Sequence, residues 1–222
     1  MIGSEEEKLF DVIKNNDIEK VKSILINSNK NEKILNLNEK DEYGLYPLYW
    51  AICNDNIKIV KLLIAYANQH QIIFELNEKD NFGFYPLLLA TLNNNIDINK
   101  LLIEYTLQHQ IILKLNEKNN NGEYPLYWAI RNNNVEIVKL LIEYANQHQI
   151  ILELNDKDDN EGDYPLYLAF FLNNVEIVQL LTNYALQHQI TLKYDEKDIE
   201  YKPEIKKLLQ NYEKEKGIKV NK

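Results

Sequence analysis

Four segments of the chain restate one pattern: EYGLYPLYWAICNDNIKIVKLLIAY from Glu42, NFGFYPLLLATLNNNIDINKLLIEY from Asn81, NNGEYPLYWAIRNNNVEIVKLLIEY from Asn120 and NEGDYPLYLAFFLNNVEIVQLLTNY from Asn160. Their period is about 39 residues. No other feature constrains the fold as much, because self-similarity at such a period marks small units that bury their apolar faces only by stacking on one another. The chain's four histidines, His70, His109, His148 and His188, obey the same period and sit in the same QHQI setting.

Each repeat reads as one structural phrase. Gly44, Gly83, Gly122 and Gly162 supply the positive φ of a tight turn. Pro47, Pro86, Pro125 and Pro165 follow three residues later and suit the first position of a helix, where a missing N–H has no partner to lose. That helix is short, because Asp55, Asn94, Asn133 and Asn173 are residue types that tolerate the left-handed conformation ending it. Asn56, Asn95, Asn134 and Asn174 are then placed to cap a second helix. In that helix Ile59, Leu62 and Leu63, with their equivalents in the other repeats, are expected to form one apolar stripe.

On these residues the chain resembles an ankyrin-repeat protein. YPLYWA and IVKLLI stand where that family carries T-P-L-H-x-A and I-V-x-L-L, four times in phase. The resemblance implies a mainly α, ankyrin-like solenoid of helix-turn-helix units with β-turn fingers and helical caps. A HEAT-like array has a similar period, but the Gly-x-Tyr-Pro turn argues against it. There are three departures. The threonine before proline is Tyr46, Tyr85, Tyr124 or Tyr164, so a ring must pack where a hydroxyl cap would sit. Asn or Asp replaces the glycine between the helices. About six extra residues follow the second helix in each unit, and the histidine lies among them.

The ends read as caps. LFDVIKNNDIEKVKSILI from Leu9 aligns with the repeats but lacks the turn, Tyr and Pro, and PEIKKLLQNY from Pro203 matches only the second-helix phrase. The expected organisation is an N-terminal capping repeat at 1–40, four central repeats at 41–197 and a C-terminal capping helix and tail at 198–222.

Composition bears mainly on partners and location. A net charge of -9 opposes binding to a phosphate backbone, so no nucleic acid is expected. Cys53 is the single cysteine, which rules out an intrachain disulfide and a thiolate metal cluster. Three glutamates open the chain where a signal peptide would be basic and then apolar, so secretion is not expected. No apolar run approaches a membrane span. The expectation is an intracellular, cytoplasmic monomer.

The histidines could be read as a metal site or as acid-base groups. Stacked layers lie roughly 10 Å apart, whereas zinc needs its ligands at about 2 Å from one ion. The reading taken is a helix-terminal ring that caps or packs on the inserted residues. No Gly-rich phosphate loop, H-E-x-x-H or G-x-S-x-G is present, so the chain is not expected to be an enzyme or to hold a cofactor. Trp50 and Trp128 share one phase and are expected in the core.

The turn tips differ between repeats, and in proteins of the resembled family the tips and first-helix ends line a concave face that holds partners. The candidate partner-binding residues are Tyr43, Leu45, Phe82, Phe84, Glu123, Asp159, Glu161 and Asp163 at the tips, with Cys53, Leu92, Arg131 and Phe171 on the first helices. Tyr43 and Phe82 could equally pack on neighbouring fingers. Apolar tips come first and acidic ones later, which suits a protein partner with an apolar segment followed by a basic one. The function so implied is a non-catalytic protein-binding scaffold. The alternatives are a regulatory or targeting module of a larger enzyme assembly and, requiring zinc at the histidines, a metal buffer.

Overall fold

The computed structural model describes residues 4–157 and 162–217, in which every regular element is helical. The helices are α1 (Ser4–Lys14), α2 (Ile18–Lys30), α3 (Pro47–Cys53), α4 (Ile57–His70), α5 (Pro86–Leu92), α6 (Ile96–His109), α7 (Pro125–Arg131), α8 (Val135–Gln147), α9 (Pro165–Phe171), α10 (Val175–Gln187) and α11 (Pro203–Lys216), with a 3-10 turn at Glu196–Ile199. Two compact units are distinguished, Met1–Lys114 and Leu115–Lys222.

In the first unit α1, α3 and α5 pack in one row, and α2, α4 and α6 in a second row against them. The second unit repeats the arrangement with α7 on α9 and α8 on α10, and α11 closes it by packing on α10. The first helix of the last repeat is reduced to the 3-10 turn, which buries Ile199 and packs on α9 and α11. The pairing of short first helices with longer second helices is that of an ankyrin solenoid.

The local signals act as their chemistry requires. Proline opens α3, α5, α7 and α9. Asp55, Asn94, Asn133 and Asn173 all have φ between 52° and 58°. Asn56 Oδ1 accepts the amides of Lys58 and Ile59, and Asn95, Asn134 and Asn174 cap α6, α8 and α10 in the same way. Gly44 has φ +77° with open space where a Cβ would lie, so conformation and not crowding requires glycine there.

The apolar stripe is shifted from the expected one. In α4 the buried set is Ile59, Val60, Leu63, Tyr66 and Ala67, while Leu62 is half-exposed. The stripe therefore runs i, i+1, i+4, i+7, i+8, because α4 lies against α3 on one side and against the neighbouring second helices on its flank. The tryptophans also differ from expectation: Trp50 and Trp128 are only partly buried, since they stand on the finger side of the first helices and outside the core.

The extra residues form an extended arm. Each second helix ends on a non-glycine residue in the left-handed region or just before one: Gln71, Gln110, Gln149 and Gln189 all have φ of 56° or 57°. The chain then alternates, with Phe74 and Leu76 buried and Ile73 and Glu75 exposed, as a strand does. Side chains take the place of a partner strand. Tyr105 Oη accepts the Phe74 amide at 3.2 Å and donates to the Ile72 carbonyl at 3.0 Å. Tyr184 bonds Leu152 and Ile150 in the same way, and Tyr212 bonds Leu192 and Ile190. Asn77 bridges the carbonyl of Ile112 and the amide of Lys114, and Asn116 and Asn155 repeat this in the second unit. Tyr46 and Tyr85, at the helix N-caps, send their hydroxyls to the carbonyls of Glu75 and Lys114. The ring that replaces the family's threonine thus anchors an arm 29 residues away.

The histidines close the same system. His70 stacks on Tyr66 and His109 on Tyr105, with ring centroids 4.4 and 4.2 Å apart. Their Nε2–H groups donate to Asn29 and Asn68 of the preceding second helix, at 2.6 and 2.9 Å, and His188 donates to Asn146 at 2.8 Å. In His148 the same nitrogen is buried with no bond among the described residues. Each ring is packed on an aromatic neighbour, and among the described residues no group of three or more His, Cys, Asp or Glu is arranged to hold a metal ion.

Candidate protein-binding face

The fingers at Gly44, Gly83 and Gly122 are built by an acid or amide three residues before the glycine. Asp41 Oδ1 accepts the amides of Tyr43 and Leu45, Asp80 Oδ1 those of Phe82 and Phe84, and Asn119 Oδ1 those of Asn121 and Glu123. One side-chain oxygen fixes the tip, and in Asp41 and Asp80 the other faces the first helices. Asp41 Oδ2 accepts Trp50 Nε1–H at 2.8 Å and pairs with Lys14 Nζ at 2.8 Å. The Lys14 ammonium lies 4.8 Å from the Trp50 ring centroid, 5.3 Å from that of Tyr43 and 5.8 Å from that of Phe10. Burial alone would raise the Asp41 carboxyl, but Lys14, the finger amides and the Trp50 indole together hold it below the usual carboxylate range. Where the finger carries Asn119, the Trp128 indole N–H is buried without a bond among the described residues.

In the first unit a cavity of about 300 Å³ opens between the fingers, lined by Tyr43, Leu45, Trp50, Asp80, Asn81 and Phe82. Tyr43 is 55 % and Phe82 70 % exposed. Tyr49 Oη donates to Asp80 Oδ2 from below. Cys53 stands at the end of α3 with its thiol pushed up to about 12 by desolvation and by the Asp80 carboxylate. In the second unit a cavity of about 280 Å³ is lined by Arg131, Asp163, Tyr167, Leu168, Phe171 and Leu172. Phe171 is 73 % exposed, and the Arg131 guanidinium lies over the Tyr127 and Trp128 rings.

The sequence-derived candidates fall into four groups. Tyr43, Leu45 and Phe82 line the first cavity; Arg131, Asp163 and Phe171 line the second. Cys53 is exposed, and Phe84 and Leu92 are half-buried, but none of the three lines either cavity. Glu123 is buried, its Oε2 accepting Asn119 Nδ2–H at 2.6 Å, so this carboxylate stiffens its own finger and is not an exposed acid. Asp159 and Glu161 lie outside the described residues.

Sequence reading missed Trp50, Asp80, Asn81, Tyr167, Leu168 and Leu172 as lining residues. Two signals for them existed. Asp41, Asp80 and Asn119 share one register before the glycine, and Leu172 breaks the run of asparagines that otherwise follows the first helix.

The family described as ankyrin repeats (3 copies) matches residues 9–114 and 105–193. The chain belongs to the ankyrin-repeat family, a class of modules that generally mediate protein–protein interaction and are typically non-catalytic. A search of curated proteins found no significant match to the chain. Among the described residues no helix is long and apolar enough to cross a membrane.

Proposed function

We propose that the chain is a non-catalytic, cytoplasmic protein-binding scaffold that works as a monomer and holds its partner on the concave face made by the finger tips and first helices. The observation that carries this reading is the pair of cavities of about 300 and 280 Å³, each rimmed by an exposed phenylalanine on this side of the helices. Exposed aromatic rings beside a pocket are the groups that dominate interface energy. The partner offers apolar side chains to the rings and basic ones to the carboxylates, consistent with the net charge of -9.

The test uses a partner captured from native cell extract and re-measured with purified components. Phe82→Ala or Phe171→Ala is expected to weaken binding by about 2 kcal/mol, mainly through faster dissociation. Substitutions at Lys61 and Lys139, both exposed on the second helices, are expected to leave it unchanged. Release by the lysine substitutions with full affinity retained by both alanine variants refutes the assignment of the face.

A further inference from the structure

The finger acid and the first-helix end form a register that recurs along the chain, and its occupants are informative. At the first position Asp41 faces Lys14, whose ammonium is held by the carboxylate and the rings of Trp50 and Tyr43. Advancing 39 residues in sequence pairs Asp80 with Cys53, and a further 39 pairs Asn119 with Leu92. In sequence, the basic residue goes with the acid and the apolar residue with the amide. Asp80 breaks the rule, since it keeps the acid while its first-helix counterpart is a short neutral side chain.

The geometry around Asp80 is that of a cation acceptor. Its Oδ1 is fully used by the amides of Phe82 and Phe84, while Oδ2 accepts one bond, from Tyr49. A carboxylate oxygen takes two, as Asp41 Oδ2 does with Trp50 and Lys14. Among the described residues Asp80 makes no ion pair, and it is partly exposed, at the wall of the cavity that Tyr43, Trp50 and Phe82 also line. A long basic side chain can lay its methylene stem on such rings and its charge on the carboxylate.

We propose that this cavity takes a lysine or arginine side chain of the protein partner, its charged head on Asp80 Oδ2 and its stem across Tyr43 and Phe82, in the manner of Lys14 on Asp41. The proposal rests on the concave-face reading above and names the chemistry that the face selects at this point.

The experiment is a selection of random displayed peptides of about a dozen residues on the immobilised full chain, with enriched sequences remade as labelled synthetic peptides for polarisation titrations. Enriched peptides are expected to carry a basic residue flanked by apolar ones, and its replacement by glutamine should weaken binding at least about tenfold. Asp80→Asn should cause a similar loss while the finger persists, because Asn119 builds the same turn with its amide oxygen. Cys53→Lys supplies the missing internal cation and should also block the site, with wild-type circular dichroism as the check on folding. Peptides that need Phe82 but no basic residue, or that bind Asp80→Asn undiminished, overturn the cation assignment and leave the concave-face reading standing. Peptides indifferent to both Phe82→Ala and Phe171→Ala overturn the two together, and a selection that enriches nothing overturns the cation assignment.

Discussion

Tyr105→Phe isolates the bond that holds the inserted arm. The ring stays apolar and of nearly the same volume, so the substitution removes one hydroxyl and little else. That hydroxyl is 3.2 Å from the Phe74 amide and 3.0 Å from the Ile72 carbonyl. Phe74 is 1 % exposed, so its N–H has no route to water once the acceptor is gone, whereas Ile72 is half-exposed and its carbonyl can be hydrated. A buried donor left unsatisfied costs about 1–3 kcal/mol, and the net loss expected is about 2 kcal/mol. For a chain of this size that lowers the melting temperature by about 4–8 °C. Urea unfolding followed by circular dichroism measures the global term, and amide hydrogen exchange at Phe74 measures the local one, which matters because repeat arrays open unit by unit. Tyr43→Phe, at an exposed ring, is the control and should change stability by less than about 0.5 kcal/mol. If Tyr105→Phe behaves like the control and the Phe74 amide exchanges as slowly as in wild type, the arm is held by something other than this hydroxyl.

Two further outcomes follow from the same structure. Burial raises the phenols of Tyr46, Tyr49, Tyr105, Tyr164, Tyr184, Tyr194 and Tyr212 above their ordinary value, so the folded state holds protons that the unfolded state has lost above about pH 10; stability is intact below that pH and falls as pH rises through it. Tyrosinate absorbance and helical circular dichroism should therefore change together on alkaline titration, and complete phenol ionisation with the helices intact would contradict this. Deleting residues 201–222 removes Ile205, Leu209 and Tyr212, all 2 % exposed or less, together with the Tyr212 bonds to Leu192 and Ile190, and should cost about 5 kcal/mol in the last unit and promote aggregation; an unchanged thermal transition would show that α11 is not a cap.

Local chemistry was the legible part of this fold. Gly44, Pro47, Asp55 and Asn56 each carry a conformational or capping preference that acts within a few residues, and each does what its type allows. The role of Tyr66, Tyr105 and the arm asparagines was hidden, because their partners lie 31 to 38 residues away and nothing in a tyrosine's neighbours announces a distant carbonyl. Glu123 was misread for a related reason: an acid at a tip reads as exposed until Asn119 is seen to fold back on it. Leu62 and Trp50 were placed by period alone, and the side of a helix that meets its neighbours is decided by the second row of helices, not by the helix itself. At the binding face the rings were visible as composition, but Asp80 was hidden by doing two things, shaping the finger with one oxygen and presenting the other.

The bonds between the asparagine caps of neighbouring repeats join adjacent positions of one pattern. Asn95 Nδ2–H meets Asp55 Oδ1, as Asn56 meets Asn16 and Asn174 meets Asn133, at separations of 40 or 41 residues, and none of these atoms belongs to the candidate binding face. These cap-to-cap joints and the recognition face are therefore written in different columns of the same text. Excising residues 42–80 would leave Asp41 followed by Asn81, a junction with the same acid before the same finger, while deleting Cys53 and Asp80 from the recognition column. A gene of this kind can gain or lose a whole repeat and keep the cap-to-cap joints, and every such event rewrites what the surface reads.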